Sequence, residues 1–320
     1  MAWGIKYKIK WEQKVPDNTY KSGHVALLGR SNVGKSTLLN ELLQFKLSIV
    51  SPKPQTTRHA ILGIAHGDYY QVAFLDTPGM MRRPEHQLDR RMVAAMHHAL
   101  EQADLLVLVV DPRMPGDIEE RFIEELKRQQ KPVLLVVNKV DTIAKPRLLP
   151  ILEDYERRFT FSEMVPVSAR KRDGLDRVLE LIVKHLPEGA PLYSSEELTD
   201  RTERFLVSEI IREKVYLLYQ DEVPYATTVD IEDFIEESPD HGGKDFISAV
   251  VYVERPTQRG ILIGGGGQAL KTVGMDARKD IEALLERPVH LELWVKSRTH
   301  WRHSASFLQE MGYDSGLPMV

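Results

Sequence analysis

Between His24 and about residue 186, short apolar runs alternate with stretches whose apolar residues recur at helical spacing. The runs "HVALLG", "HAILGIAH", "YYQVAFLD", "DLLVLVVD", "KPVLLVVNK" and "EMVPVSA" predict strands, and "DIEERFIEELKRQQ" and "GLDRVLELIVKHL" predict amphipathic helices. Strands that read as continuous apolar runs are covered on both faces, so the pattern predicts a mostly parallel sheet between helix layers. Only "GD" separates "HAILGIAH" from "YYQVAFLD", which predicts a tight hairpin and one antiparallel pair. The expectation is an α/β fold with a mixed sheet of about six strands.

The pattern changes after "LPEGAPLYSSEELTD", a Pro-, Gly-, Ser- and acid-rich stretch read as a linker. Beyond it come a long amphipathic helix, "RTERFLVSEIIREKVYLLY", and two alternating strands around the turn "SPDHGGK". Then "TQRGILIGGGGQALKTVGMDARKDIEALLE" reads as helix, four glycines, helix, followed by the strand "VHLELWVK" and a short last helix in "HWRHSASFLQEM". The expected divisions are 1–188 for the first domain with a short N-terminal extension, 189–200 for the linker and 201–320 for the second domain.

Composition narrows this little. A chain of 320 residues with 42% hydrophobic and 28% charged content suits a soluble two-domain protein. The net charge of −4 gives no global attraction for nucleic acid, so such binding requires a local basic patch. The absence of cysteine excludes disulfides and thiolate sites and fits a reducing compartment. No run approaches the ~18 apolar residues of a membrane span, and the opening "MAWGIKYKIKWEQKV" has no secretory core; it reads as an edge strand or a basic tail.

The chemistry lies at predicted strand ends. "GRSNVGKSTLLN" matches G-x-x-x-x-G-K-[ST] between a strand and a helix. Gly29, Arg30, Ser31, Asn32, Val33 and Gly34 would curl so that backbone N–H groups face phosphate oxygens, with the helix start adding its positive dipole end. Lys35 is expected on the β- and γ-phosphates and Ser36 on Mg²⁺, with Thr37 beside it. "DTPG" (Asp76, Thr77, Pro78, Gly79) offers a carboxylate for Mg²⁺ and an N–H for the γ-phosphate. In "NKVD" (Asn138, Lys139, Val140, Asp141), the Asp141 carboxylate can accept from guanine N1–H and N2–H₂, which adenine cannot offer; an acceptor left unpaired gives strong rejection. "SAR" (Ser168, Ala169, Arg170) can present the Ala169 N–H to guanine O6.

In the polar segment "SPKPQTTRH", Thr57, with Thr56 second, is expected to join Mg²⁺ when the γ-phosphate is present. Met80 follows the "DTPG" glycine where many GTPases place a water-orienting Gln. Hydrolysis must therefore use a backbone-held water, a cation or a partner. Asn32 either ligates K⁺ beside the phosphates or fixes the loop by a hydrogen bond. The candidate catalytic residues are Lys35, Thr57, Gly79 and Asn32; the Mg²⁺ ligands are Ser36, Thr57 and Asp76; the cofactors are GTP or GDP and Mg²⁺, with K⁺ as a further candidate.

In the second domain, Gly264–Gly265–Gly266–Gly267 between two helices matches the G-x-x-G backbone clamp of a KH domain, and the order α-β-β-α-α-β is the type II arrangement. Acidic residues dominate from about 200 to 254, and the balance reverses from Arg255 to Arg302. Arg259, Lys271 and Arg278 would attract phosphates, while Ile261 and Ile263 would floor a base groove.

Together, "GRSNVGKSTLLN", "SPKPQTTRH", "DTPGM", "NKVD", "VSAR", "RGILIGGGGQALKTVGMDARKDIE", "LWVK" and "WR…GY" resemble the Era family of bacterial GTPases over nearly the whole chain after His24. The resemblance implies a P-loop GTPase domain followed by a KH domain. It further implies GTP hydrolysis, a role in small-subunit (30S) assembly, and binding near the 3′ end of 16S rRNA. By the same resemblance the protein is a monomer, cytoplasmic, with some peripheral membrane contact. One departure stands out: the family's KH loop usually carries Lys within G-x-x-G, and here Gly265 and Gly266 fill both middle positions. Two other readings stay open on the sequence, a nucleotide-gated scaffold with incidental hydrolysis and a signalling or membrane-associated GTPase with a protein-binding C-terminal domain.

Overall fold

The computed structural model describes residues 19–80 and 84–313. The predicted N-terminal strand falls outside them. The first domain runs β1 (Lys21–Leu28), α1 (Lys35–Leu43), β2 (Ile61–Gly67), β3 (Tyr70–Asp76), α2 (Gln87–Gln102), β4 (Leu105–Val110), α3 (Asp117–Lys127), β5 (Val133–Val137), α4 (Leu148–Arg158), β6 (Glu163–Pro166) and α5 (Leu175–His185). Its six-stranded sheet has the order β2-β3-β1-β4-β5-β6. Within this sheet β2 pairs antiparallel with β3, and the other neighbouring strands pair parallel. The hairpin turn is one residue later than the sequence suggested, at Asp68 and Tyr69, because Gly67 still pairs with Tyr70. Every residue of β4 and β5 is buried, which is why those segments carry no alternation.

The second domain is α6 (Glu203–Leu218), β7 (Thr228–Ser238), β8 (Lys244–Val253), α7 (Pro256–Ile263), α8 (Gln268–Leu285), β9 (Val289–Ser297) and α9 (Ala305–Glu310). Its sheet has the order β7-β8-β9, with β7 antiparallel and β9 parallel to β8.

The segment read as a linker is held against the first domain. Gln71 at the start of β3 accepts the Leu192 and Tyr193 N–H groups (2.7 and 2.9 Å) and donates to the Tyr193 carbonyl (2.8 Å). The Leu198 carbonyl accepts the Ile64 N–H at 2.8 Å. Pro, Gly and Ser marked an irregular backbone correctly; such a backbone still needs partners for its polar groups, and it finds them along β2 and β3. The buried cluster beneath α1 and α5 continues into the core under α6 and α8.

Candidate functional site

Parallel strands deliver their C-terminal ends to one edge of the sheet, which is where open α/β sheets bind ligands. There β1 runs into the phosphate loop. Gly29 has φ 143, and a Cβ on it would lie 2.2 Å from the Val109 carbonyl, so only glycine fits. Gly34, at φ 95, is the N-cap of α1. Thr37, like Ser31 and Asn32, lines the adjoining cleft of about 390 Å³, whose other wall is the segment from Ile49 to Thr57.

Lys35 is 6% exposed, and its ammonium lies 3.1 and 3.2 Å from the Gly29 and Arg30 carbonyls. Burial pulls its pKa down to about 8 against the opposing pull of Asp76. A phosphate group beside it would hold it charged.

Ser36 Oγ lies 2.9 Å from Thr57 Oγ1 and 2.7 Å from Asp76 Oδ2. Three hard oxygen donors from α1, the polar segment and the end of β3 thus converge. Asp76 is fully buried, and burial pushes its pKa up against the Lys35 charge. Its Oδ1 has no hydrogen-bond partner among the described residues; the Ser48 hydroxyl lies near without a well-formed bond. A buried, incompletely partnered carboxylate beside two hydroxyls fits a Mg²⁺ ion, which takes oxygen ligands. Thr56 takes no part: its hydroxyl donates to the Lys53 carbonyl at 2.8 Å.

Thr77 bonds back to the Leu27 carbonyl at 2.7 Å, which leads the chain through Pro78 to Gly79. A Cβ on Gly79 would lie 2.6 Å from the Ser31 backbone nitrogen, so the two loops touch there. Met80 pairs with the Arg30 backbone as an isolated parallel bridge. In Asn32, φ is 66 and the side-chain amide donates to the Pro52 carbonyl. That is the loop-fixing bond of the two alternatives, and the side-chain oxygen is the atom left to reach a cation.

The base side is built around Asn138, 2% exposed. Its Nδ2 donates to the Val33 carbonyl (2.9 Å), and its Oδ1 accepts from the Ala169 N–H (3.0 Å) and the Lys139 N–H (2.8 Å). One carboxamide thus ties the phosphate loop to both base-side loops. Lys139 donates to the Asn32 carbonyl and pairs with Asp111 at 3.0 Å. Asp141 accepts from Ser168 Oγ at 2.7 Å. That hydrogen bond, with the Lys171 and Arg170 charges, holds its carboxyl below the usual range, so it stands ionised as an acceptor. Val140 starts the short turn that carries it, and Arg170 lies in the turn after Ala169.

In the second domain, Gly264 has φ 72 and ψ 175, and a Cβ on it would meet the Ala269 Cβ at 2.6 Å. Among the described residues, nothing lies within 4 Å of where a Cβ on Gly265, Gly266 or Gly267 would stand, so the loop backbone is open there. Ile261 is 53% exposed beside it, with Ile263 half-buried. Arg259, Lys271 and Arg278 are exposed; Arg278 leans on Glu282 at 3.5 Å. The basic stretch is less free than its composition suggested. Lys296 pairs with Glu232 (2.6 Å), Arg302 with Glu254 (3.0 Å from Nε), and Arg298 lies over the Phe307 ring.

Comparison with known proteins agrees with both halves. A family described as 50S ribosome-binding GTPase matches residues 24–139, and the KH domain family matches 222–302. The GTPase Era of Lactobacillus helveticus is 44% identical over 93% of this chain and 98% of its own length. The GTPase Era of Clostridium novyi is 44% identical over 92% and 99%. The chain belongs to the Era family of GTPases. Among solved structures, an Era in complex with MgGDPNP and nucleotides 1506–1542 of 16S ribosomal RNA matches with TM-score 0.89 at 38% identity, over 92% of this chain and 99% of that one. A variant of Aquifex aeolicus Era bound to GDP and aluminium fluoride matches with TM-score 0.88 at 37% identity, over 92% and 99%.

What sequence reasoning missed is the seam between the domains. Arg58, 4% exposed, donates to the carbonyls of Thr227 (2.7 Å) and Tyr225 (2.8 Å) and to the Tyr216 hydroxyl (3.0 Å). Arg212, 1% exposed, binds Glu209 through two nitrogens and donates to the Thr56 carbonyl at 2.6 Å. Both arginines sat in motif or helix strings that gave no reason to pair them. The one available signal was an arginine on a helix face otherwise rich in Ile, Val and Tyr.

Proposed function

We propose that this Era-family chain is a Mg²⁺-dependent GTPase whose nucleotide state sets its hold on small-subunit rRNA. The observation that carries the enzymatic half is the Ser36–Thr57–Asp76 oxygen cluster beside buried Lys35. The base pocket at Asn138, Asp141 and Ala169 supplies guanine selectivity. Mg²⁺, when bound, supplies charge neutralisation at the β- and γ-phosphate oxygens. Ser36, Thr57 and Asp76 would hold it, Lys35 would meet the same oxygens, and the Gly79 N–H would face the γ-phosphate. With Met80 where a Gln would orient water, the attacking water depends on backbone groups, with Asn32 and K⁺ as the candidate cation site.

The second domain would take single-stranded RNA on the Gly264–Gly267 loop. Ile261 and Ile263 would lie under the bases, and Arg259, Lys271 and Arg278 near the phosphates. The Era complex with nucleotides 1506–1542 of 16S rRNA supports the 3′ end as the site and 30S assembly as the process. We place the protein in the cytoplasm as a monomer. A peripheral membrane contact rests on the family resemblance alone; among the described residues no helix is long and apolar enough to cross a membrane. Flotation with anionic vesicles measures that contact.

The test is crosslinking to 16S rRNA with GDPNP and with GDP, mapped to single nucleotides. Crosslinks from the 264–267 loop at the 3′ end, differing between the two nucleotides, are expected. Their absence in both states would overturn the RNA half and leave the GTPase half standing.

A further inference from the structure

The two sites are joined by a series of polar contacts linked through short pieces of chain. In the phosphate loop, Asn32 donates to the Pro52 carbonyl. The next residue, Lys53, donates its ammonium to the Tyr216 and Tyr219 carbonyls. These lie at the C-terminal end of α6, whose last carbonyls lack helical partners, and a cation there also meets the negative end of the helix dipole. Tyr219, 8% exposed, is the C-cap residue of α6, and its hydroxyl donates to the Leu262 carbonyl at 2.6 Å.

Leu262 is fully buried in the last turn of α7. The chain leaves the helix at Gly264, so this carbonyl also lacks a helical partner. Two helix ends are therefore capped in series, α6 by Lys53 from the segment between α1 and β2 and α7 by Tyr219 from the end of α6. The first cap comes from the segment that walls the phosphate cleft. The second sits two residues before the Gly264–Gly267 loop.

We propose that the series Asn32–Pro52–Lys53–Tyr219–Leu262 transmits the state of the phosphate site to the RNA loop, with Tyr219 as a positioning residue for RNA. It rests on the reading of that loop as the RNA site. Thr57 and Asn32 both line the cleft beside the phosphate loop, so recruiting either to Mg²⁺ or to phosphate would move the backbone that carries Lys53. Loss of the Lys53 cap frees the Tyr219 backbone, and the hydroxyl that holds Leu262 goes with it. The loop is built of glycines and cannot resist through side-chain packing, so its position follows the end of α7.

The experiment measures affinity for an RNA of 16S nucleotides 1506–1542 with GDPNP and with GDP, in the full chain and in Tyr219→Phe, Lys53→Met and the double variant. Tyr219→Phe keeps the packed ring and removes only the hydroxyl. The wild-type ratio of the two affinities is expected to differ from one. Each single variant should bring it about threefold to tenfold nearer to one, the range set by one buried hydrogen bond. The double variant should go no further than the stronger single, because the residues act in series. GDPNP affinity should stay within about twofold.

A variant that binds RNA more weakly in both states while keeping the wild-type ratio has lost structure only, and overturns the proposal. Wild-type binding that ignores the nucleotide overturns the RNA-switch reading and the proposal together. RNA binding that bypasses the 264–267 loop in crosslinking overturns the site reading itself.

Discussion

At the residue scale, two side chains carry the proposed ligand choice and its charge state. Asp141 is the proposed guanine-reading carboxylate, and the hydrogen bond from Ser168 holds its carboxyl below the usual range. Asp141→Asn should lower GTP affinity by about 10²-fold or more and raise that for xanthosine nucleotides, checked by competition binding. Lys35, with its pKa pulled to about 8, is half neutral in the free protein near that pH. A bound phosphate anion restores the charge, so GDP binding should be accompanied by proton uptake that grows from pH 7 to about 8.5. Calorimetry in buffers of different ionisation enthalpy measures it. The same shift has the opposite sign for folding. A lysine whose folded pKa lies below its ordinary value makes the free protein gain stability as pH rises from about 8 toward about 10.5. Asn32 gives a further expectation: GTP hydrolysis should be faster in K⁺ than in Na⁺, and equal rates would mean that its side chain serves only to hold Pro52.

At the element scale, the work is done by the ends of strands and helices. The β1–α1 turn needs Gly29 and Gly34 for backbone reasons, because the neighbouring Val109 carbonyl and Asn138 amide occupy the space a side chain would take. The α7–α8 turn separates its glycines more finely. Gly264 is required by its dihedral angles and by Ala269, whereas a Cβ on Gly265 meets nothing within 4 Å. Gly265→Lys should therefore fold normally. It should raise affinity for the 16S fragment about threefold to tenfold at low salt and steepen the salt dependence by about one unit of slope, as one added phosphate contact would. Gly264→Ala should lower both RNA affinity and melting temperature. Filter binding across a salt series separates the two. Unchanged or weaker RNA binding by the lysine variant would show that the charge was not missing.

At the scale of the whole molecule, the segment from Lys46 to Ala60 forms one part of the seam, and α2 packed on Trp301, Phe307 and Tyr313 forms another. Lys46 reaches Glu213 and Asp280 (2.6 and 3.0 Å), the Val50 N–H donates to Glu213, and Arg201 donates to the Ala60 carbonyl. His59 stacks on Tyr313 with ring centroids 4.4 Å apart. Burial pushes the Glu209 carboxyl up, but the Arg212 charge and hydrogen bonds, with the Arg58 charge, together hold it below the usual carboxylate range. Arg212→Met should cost about 3–5 kcal/mol by stranding that carboxylate, and adding Glu209→Gln should recover part of the loss. Denaturant unfolding of the single and double variants checks this. A single variant as stable as the wild type would mean that the pair adds nothing to the seam.

The sequence by itself determined the strands, their order along the chain and the strand ends that carry the nucleotide motifs. The short, β-branched, continuous apolar runs of β4 and β5 read as strands covered on both faces, and the phosphate loop, "NKVD" and "SAR" each lie within a few residues of a strand end. Those are local properties, set by side-chain periodicity and by backbone angles that glycine alone permits. The tertiary structure decided what depends on distant pairs. It placed the Thr57 hydroxyl, not that of Thr56, against Ser36, moved the hairpin turn by one residue, and laid the linker against Gln71. It spent Lys296, Arg298 and Arg302 on internal partners that a count of charges could not anticipate. Above all, it brought Lys53 to the end of α6 and Tyr219 to the end of α7. A capping bond between residues 166 or 43 positions apart leaves no periodic trace in the chain, because its strength comes from two helix ends meeting in space.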